Sequence, residues 1–273
     1  DGDRTRVFAW YNVLQDLGHA LGSLAAGLPA VLRSVVGAPE LPSLRLGMAV
    51  YPVILLCVAF LYVGLSSAVE VREARRAVKL SPRTRRVLWK ISSLFALDSL
   101  GGGLMTTTML SFFFYERFGV NEAAIGPRFF AARVANAGSH LAAAWLARRI
   151  GLVNTMVFTH IPSSLLLVTV AFAPSFTVAA LLFILREGLV EMDVPTRQSY
   201  VMAVVAFEER TFASGVTTLV RIGAWAVAPT AAGLFLSDIP LVVPLLIGSG
   251  MKVVYDLLLW FAFRGLRPPE EVS

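Results

Sequence analysis

Acidic and basic side chains recur inside long apolar stretches of this sequence, and their spacing points to proton or solute chemistry. Glu187 and Glu191 are four residues apart, so a helix would place both carboxylates on one face. Two carboxylates at one site tend to share a proton, because both are not easily charged together. We therefore expect this pair to carry protons; a structural network of ion pairs is the alternative.

The same stretch contains a second pair. Asp193 and Arg197 are also four residues apart, and opposite charges at this spacing can pair along a helix. Arg186 lies seven residues before Asp193 and falls on the same stripe. These residues are candidates for a solute or proton pathway, since a charge at mid-bilayer costs several kcal/mol. A purely structural ion pair, or a helix end beyond about 195, is the alternative.

Further polar residues follow helical spacing. Arg133, Asn136 and His140 lie at i, i+3 and i+7, a stripe that must face protein or water rather than lipid. His140 is able to relay protons, although a packed, hydrogen-bonded core histidine is the favoured explanation. Arg221 has no charged neighbour along its own stretch, so it needs a partner elsewhere or an anionic solute.

Asp98 precedes three glycines at 101–103 and three threonines at 106–108. The glycines either break a helix or let a second backbone approach closely. The threonines are able to bind a solute, or only their own carbonyl groups four residues back. A polar stripe like that at 133–140 also runs along the first apolar stretch (Asn12, Gln15, Asp16 and His19).

The composition identifies the environment of these groups. Hydrophobic residues make up 56% of the 273, charged residues 15%, and the mean hydropathy is +0.70. A soluble domain carries roughly 25% charged residues. The apolar residues also form blocks near the ~20 residues that cross a bilayer. We predict an all-α integral membrane protein with eight transmembrane helices, at 7–30, 44–69, 91–113, 128–147, 152–173, 177–205, 212–236 and 240–263.

The distribution of Lys and Arg predicts the orientation. Fifteen of these residues lie in the termini and loops on one side, and four on the other. Because positive loops stay in the cytoplasm, we expect a multi-pass plasma-membrane protein with both termini cytoplasmic. The net charge of +6 is thus explained without nucleic-acid binding. The polar segment 70–90 reads as a basic linker near anionic headgroups, or as a specific lipid or regulator site.

The sequence contains no pattern typical of catalysis. There is no phosphate-binding loop, no paired histidine spacing for a metal, and no nucleophile with a base and an orienting acid. The single cysteine, Cys57, excludes an intramolecular disulfide and a cysteine metal site. We therefore expect no enzyme activity, metal or cofactor. The start at Asp1, without methionine or a signal pattern, suggests a fragment.

The chain contains an internal repeat with an offset of 206 residues. Asp3-Arg4-Thr5 falls on Glu209-Arg210-Thr211, and small residues then recur in the same register, with Gly27 on Gly233. The first copy contains the spaced small residues Gly18, Gly22, Ala26 and Gly27. Small residues of this kind permit close helix packing in membranes.

This series resembles the antiporter motif of the major facilitator superfamily, from which it departs by Ala9, Ser23 and Ala26. The basic loop at 146–151 resembles the short loop that this family repeats in each half. The stretch 192–198 is similar to one that bacterial members carry near helix ten. Parallel repeats of this kind relate the two halves of such transporters.

The resemblance implies helices five to twelve of a twelve-helix fold. Residues 1–69 would be the last two helices of the amino-terminal bundle, 70–90 the linker, and 91–273 the complete carboxy-terminal six-helix bundle. It also implies a secondary active transporter that moves a small solute by alternating access, coupled to protons, with efflux by antiport favoured. The alternatives are proton-coupled uptake, and a non-transporting scaffold or receptor on the same fold.

Overall fold

The computed structural model describes residues 4–25, 27–66, 80–120, 122–235 and 240–264. Within these ranges the chain forms α-helices, one 3₁₀ turn (Phe207–Glu209) and no β-strand. The helices are α1 (Arg4–Ala25), α2 (Leu28–Val36), α3 (Glu40–Val63), α4 (Pro82–Gly103), α5 (Thr107–Phe118), α6 (Glu122–Ile150), α7 (Leu152–Ala171), α8 (Phe176–Val190), α9 (Asp193–Val204), α10 (Arg210–Phe235) and α11 (Val242–Phe263).

Each predicted span corresponds to one or two of these helices. The spans predicted at 7–30, 91–113 and 177–205 are divided, into α1 and α2, α4 and α5, and α8 and α9. Among the described residues, five stretches are long and apolar enough to cross a membrane, and one of them, Thr5–Val36, extends over both α1 and α2. The count of eight crossings stays a prediction, because it depends on joining the divided helices into single spans.

Helix α4 begins at Pro82 and not at 91, so the end of the predicted linker is helical. The Ser81 hydroxyl caps the helix by accepting from the Thr84 backbone N–H at 3.2 Å, and proline suits the first helical position. The Glu209 carboxylate accepts from the Ser81 N–H at 2.6 Å and from the Thr84 hydroxyl at 2.5 Å. An acid at a helix amino terminus is favourable, and this one comes from a distant part of the chain. Residues 67–79 of the linker lie outside the described ranges.

Two clusters of buried apolar side chains hold the helices together. The first contains Phe113, Phe114, Phe129, Phe183 and Leu245; the second contains Phe95, Met156, Tyr200, Tyr255 and Phe263. Along α4, Asp98 lies between Phe95 of the second cluster and Leu104 of the first. His160 on α7 and Lys252 on α11 also lie between the clusters. Buried polar residues therefore form a layer between two apolar clusters, which we call the polar layer.

The glycines at 101–103 let other helices approach α4. A Cβ on Gly101 would lie 2.9 Å from the Gly248 carbonyl oxygen, and a Cβ on Gly248 would lie 2.8 Å from that of Gly101. A Cβ on Gly103 would lie 2.5 Å from the Ala228 Cβ. Helix α4 also ends at Gly103. Both of the roles considered for this run, helix termination and close approach, are thus present.

The small residues of the first helix have a different surrounding. A Cβ on Gly18 or Gly22 would meet no atom within 4 Å, and one on Gly27 meets only the Leu24 carbonyl at 3.2 Å. Ala26 lies outside the described residues. Helix α1 packs on α6 and α9 through a different face, which includes Ala9. Close helix packing at these glycines stays a prediction, because no described helix lies against them.

Both copies of the repeat lie in helices. Arg4 lies in α1, and the corresponding residue at the offset of 206, Arg210, lies in α10. The copies differ at the second glycine, because Gly27 precedes the first residue of α2 whereas Gly233 lies inside α10.

Candidate functional site

A cavity of about 230 Å³ lies in the polar layer, with walls from α4, α5, α6, α8, α10 and α11. It reaches two of the helix breaks, at Met105 and Thr106 between α4 and α5, and at Glu191 between α8 and α9. Irregular backbone at membrane depth is tolerated where it is buried in protein or lines a cavity. The charged lining residues are Asp98, Arg133, Arg186, Glu187, Glu191, Arg221 and Lys252.

Asp98 is the centre of a buried ion-pair network. It accepts from Lys252 Nζ at 2.7 Å and from an Arg197 guanidinium nitrogen at 3.4 Å. Arg197 also donates to Asp193 at 2.5 Å, which confirms the predicted pairing of these two residues. The Arg197 guanidinium lies 5.3 Å from the Phe95 ring centroid. The network therefore joins α4, α9 and α11.

A buried histidine extends this network to α7. His160 Nδ1 lies 3.0 Å from both carboxylate oxygens of Asp256, and Nε2 lies 3.2 Å from Lys252 Nζ. Because an ammonium group only donates, a charged Lys252 requires Nε2 to accept. The ring proton is then on Nδ1 and is donated to Asp256. The six side chains of the network are thus three carboxylates, two basic groups and one histidine.

A second group of contacts joins α1 to α6 and α9. Asp16 accepts from His140 Nε2 at 2.8 Å and from an Arg133 guanidinium nitrogen at 3.4 Å. Asn12, one turn earlier, donates to the side-chain oxygen of Gln198 at 2.9 Å. The predicted stripe on α6 thus faces protein, and His140 is a buried, hydrogen-bonded residue.

The two predicted carboxylates differ in their partners, because the Glu187 side chain has two and the Glu191 side chain has none among the described residues. Glu187 accepts from Asn136 Nδ2 at 2.9 Å and forms an ion pair with Arg186. Glu191 follows the last residue of α8 and is half-buried. Within the described part of the chain, the Glu191 carboxylate forms no hydrogen bond or ion pair, and its strongest electrostatic neighbours are two other acids, Asp193 and Glu187.

Arg221 is half-buried on α10 and lines the cavity one turn before Trp225. Its Nε atom is buried without a hydrogen-bond partner. Among the described residues no acid lies within ion-pair distance of its guanidinium, and the charged group with which it interacts most strongly is another cation, Arg197. The cavity therefore contains one acid and one base without a partner in the described structure.

The family model described as Major Facilitator Superfamily matches residues 1–229, which include the helices from α1 to α9 and most of α10. The chain belongs to the major facilitator superfamily. Its fold is the all-α membrane fold expected from the apolar helices. The family that the repeat and the small-residue series suggested is thus confirmed.

An uncharacterized membrane protein of Saccharomyces cerevisiae is similar to this superfamily member. The two are 25% identical over 297 aligned positions, which include 96% of this chain and 66% of the yeast protein. The chain thus spans slightly less than two thirds of the length of the relative it matches. This similarity agrees with a membrane location and leaves the solute open.

Six of the ten predicted pathway residues line the cavity of this superfamily member, and four lie behind it in the contacts described above. The cavity set is Asp98, Arg133, Arg186, Glu187, Glu191 and Arg221; the other set is Asn136, His140, Asp193 and Arg197. Four further residues of the polar layer were not among the predicted candidates: Asp16, His160, Lys252 and Asp256. Lys252 and Asp256 are charged residues four positions apart in a strongly apolar helix. Because a charge inside a membrane is costly, this pattern in the sequence could have identified them as candidates.

Proposed function

We propose that this protein is a secondary active transporter that moves a small solute by alternating access. The observation that carries the proposal is a cavity at which two interrupted helices meet among seven charged side chains. In transporters, solute sites near the bilayer midplane are typically formed by discontinuous helices. A scaffold or receptor has little reason to retain so many ionisable groups in the membrane, where each is costly.

The domain arrangement in this proposal follows the repeat. Residues 1–69 belong to one bundle, and the residues from the start of α4 at Pro82 onwards belong to the other. Helix α1 would then be the part of the first bundle that touches the second, through Asp16, Asn12 and their partners on α6 and α9. These polar contacts suit an interface that opens and closes, because they can be exchanged for contacts with water.

Proton coupling is assigned to Glu191 in preference to Glu187. Glu187 is held by Arg186 and Asn136, so a change in its protonation must break an ion pair inside the bundle. Glu191 lines the same cavity without such a partner among the described residues. It can therefore gain and lose a proton as the cavity is hydrated. The antiport direction is supported by the small-residue series on the first helix, and both termini are placed in the cytoplasm by the distribution of Lys and Arg.

The test uses full-length protein in proteoliposomes and three solutes that do not cross bilayers unaided: benzenesulfonate, trimethylanilinium and glucose. We expect saturable flux of at least one solute above protein-free liposomes, and accumulation when a pH gradient is imposed. Glu191→Gln should abolish the gradient-driven accumulation and retain counterflow, which needs no net proton movement. Glu187→Gln is the matched control, and it should lower thermal stability because Arg186 loses its partner.

Absence of flux for all three solutes would contradict a transport function. Intact gradient-driven accumulation in both single variants and in the double variant would be consistent with transport. It would reject the role of Glu191 in proton coupling. Accumulation towards the side expected of uptake would replace antiport by symport.

A further inference from the structure

Two charged groups of the cavity remain without a partner among the described residues once the paired groups are set aside. Asp98 is occupied by Lys252 and Arg197, and Glu187 is occupied by Arg186. Arg133, a further lining cation, donates to Asp16 behind the cavity. The bases and acids of the wall thus neutralise one another, with the two exceptions of Arg221 and Glu191.

Of these two groups, Arg221 has the greater need for a partner of opposite charge. Glu191 is able to become neutral by taking up a proton, whereas a guanidinium cannot be deprotonated in a protein. The Nε atom of Arg221 is buried without an acceptor, and its strongest charged neighbour is the cation Arg197. A permanent charge beside a like charge in a membrane interior needs an anion, and the described residues do not provide one within ion-pair distance.

The surroundings of Arg221 define what kind of anion fits. Trp225 lies one turn along α10 and lines the same cavity, together with Phe129 and Phe183 from α6 and α8. Thr107, the first residue of α5, also lines it, so the positive end of a helix dipole contributes to the same space. An anion here meets a planar fork of donors on one side and aromatic surface on the other.

We propose that this cavity takes a small organic anion, whose acidic group binds Arg221 and whose apolar part packs against Trp225, Phe129 and Phe183. The proposal rests on the proposed transport function and names its solute class. An inorganic anion shares the charge but makes no use of the aromatic wall. The aromatic side chains thus distinguish an organic acid from free phosphate.

The experiment measures binding to full-length protein in detergent by calorimetry. Benzenesulfonate is the anionic probe, benzenesulfonamide its neutral analogue, trimethylanilinium the cationic probe, and inorganic phosphate the anion without an apolar part. We expect benzenesulfonate to bind at least tenfold more tightly than each of the others. Arg221→Gln should remove that preference, Arg221→Lys should keep part of it, and Arg149→Gln, an exposed arginine on α6, should have no effect.

A melting curve without probe shows whether Arg221 has an internal partner. Loss of an unpaired charge should leave the melting temperature of Arg221→Gln unchanged or higher. A lower melting temperature together with no binding of benzenesulfonate would mean that an acid elsewhere in the chain pairs with Arg221, and would overturn the proposal. Equal binding of the sulfonate and the sulfonamide, tighter binding of the cation, or equal binding of phosphate would each overturn it as well.

The two proposals fail in different ways. Flux of trimethylanilinium or glucose without binding of benzenesulfonate would leave the transport function intact and reject the anionic solute. Binding of benzenesulfonate that depends on Arg221, in a protein that moves none of the three solutes, would support the anion site and reject transport.

Discussion

The crossing of α4 and α11 provides a test in which two glycines of one helix are compared. Gly248 and Gly250 both lie inside α11, so replacement by alanine gains the same helix propensity, about 1 kcal/mol, at each position. A Cβ at Gly250 would meet no atom within 4 Å. A Cβ at Gly248 would lie 2.8 Å from the Gly101 carbonyl oxygen and 3.0 Å from Met105 Cγ. The propensity gain cancels in the comparison, and the steric cost remains.

The steric cost is large because the closest atom belongs to a backbone. Met105 is able to change its side-chain conformation, but the Gly101 carbonyl moves only if α4 moves relative to α11. Overpacking of this kind typically costs about 1–3 kcal/mol. Gly250→Ala should therefore stabilise the protein by up to about 1 kcal/mol. Gly248→Ala should be less stable than Gly250→Ala by about 1–3 kcal/mol.

The assay is thermal unfolding of full-length protein in detergent, followed by tryptophan fluorescence. Each kcal/mol corresponds to roughly 2–4 °C for soluble domains of similar size, so the two variants should differ by several degrees. The crossing also positions Asp98, three residues before Gly101, against Lys252, four residues after Gly248. Equal melting temperatures of the two variants would refute the crossing and, with it, the placement of this ion pair.

Two further predictions concern topology and the start of α4. In a variant with Cys57→Ser, a cysteine at Arg83 should react only with reagents that enter the cytoplasm, and one at Ala123 should react from outside; external labelling at Arg83 would reverse the orientation. Glu209→Gln should lower the melting temperature because the carboxylate accepts from the amino-terminal groups of α4. The neighbouring Glu208→Gln, on an exposed side chain, should not, and equal effects would show that the contact with α4 does not stabilise the protein.

Local sequence patterns were sufficient for the class of fold and for pairs within one helix. Apolar blocks of membrane length predicted the helices, because each such block has to satisfy its own backbone groups in lipid. The pairing of Asp193 with Arg197 followed from a spacing of four residues, which a helix converts directly into proximity. The start of α4 was missed because its first turns are strongly basic and its acidic contact, Glu209, comes from elsewhere in the chain.

The helical spacing of Glu187 and Glu191 predicted that the two acids are neighbours, and Glu187 is among the strongest electrostatic neighbours of Glu191. The spacing did not show which of the two acids has partners. Glu187 is bound by Asn136 on α6 and by its neighbour Arg186. These contacts distinguish two acids that look equivalent in the sequence.

The contacts of the polar layer were decided by the tertiary structure alone. Asp98 and Lys252 are 154 residues apart, and His160 and Asp256 are 96 apart, so no periodicity along one helix relates them. The sequence shows that each of these charges lies in an apolar stretch and needs a partner. Which partner it finds depends on how the helices cross, and here the crossing of α4 and α11 at Gly101 and Gly248 sets the distance. The same arrangement leaves Arg221 facing a cation and a cavity, a feature that only the assembled bundle reveals.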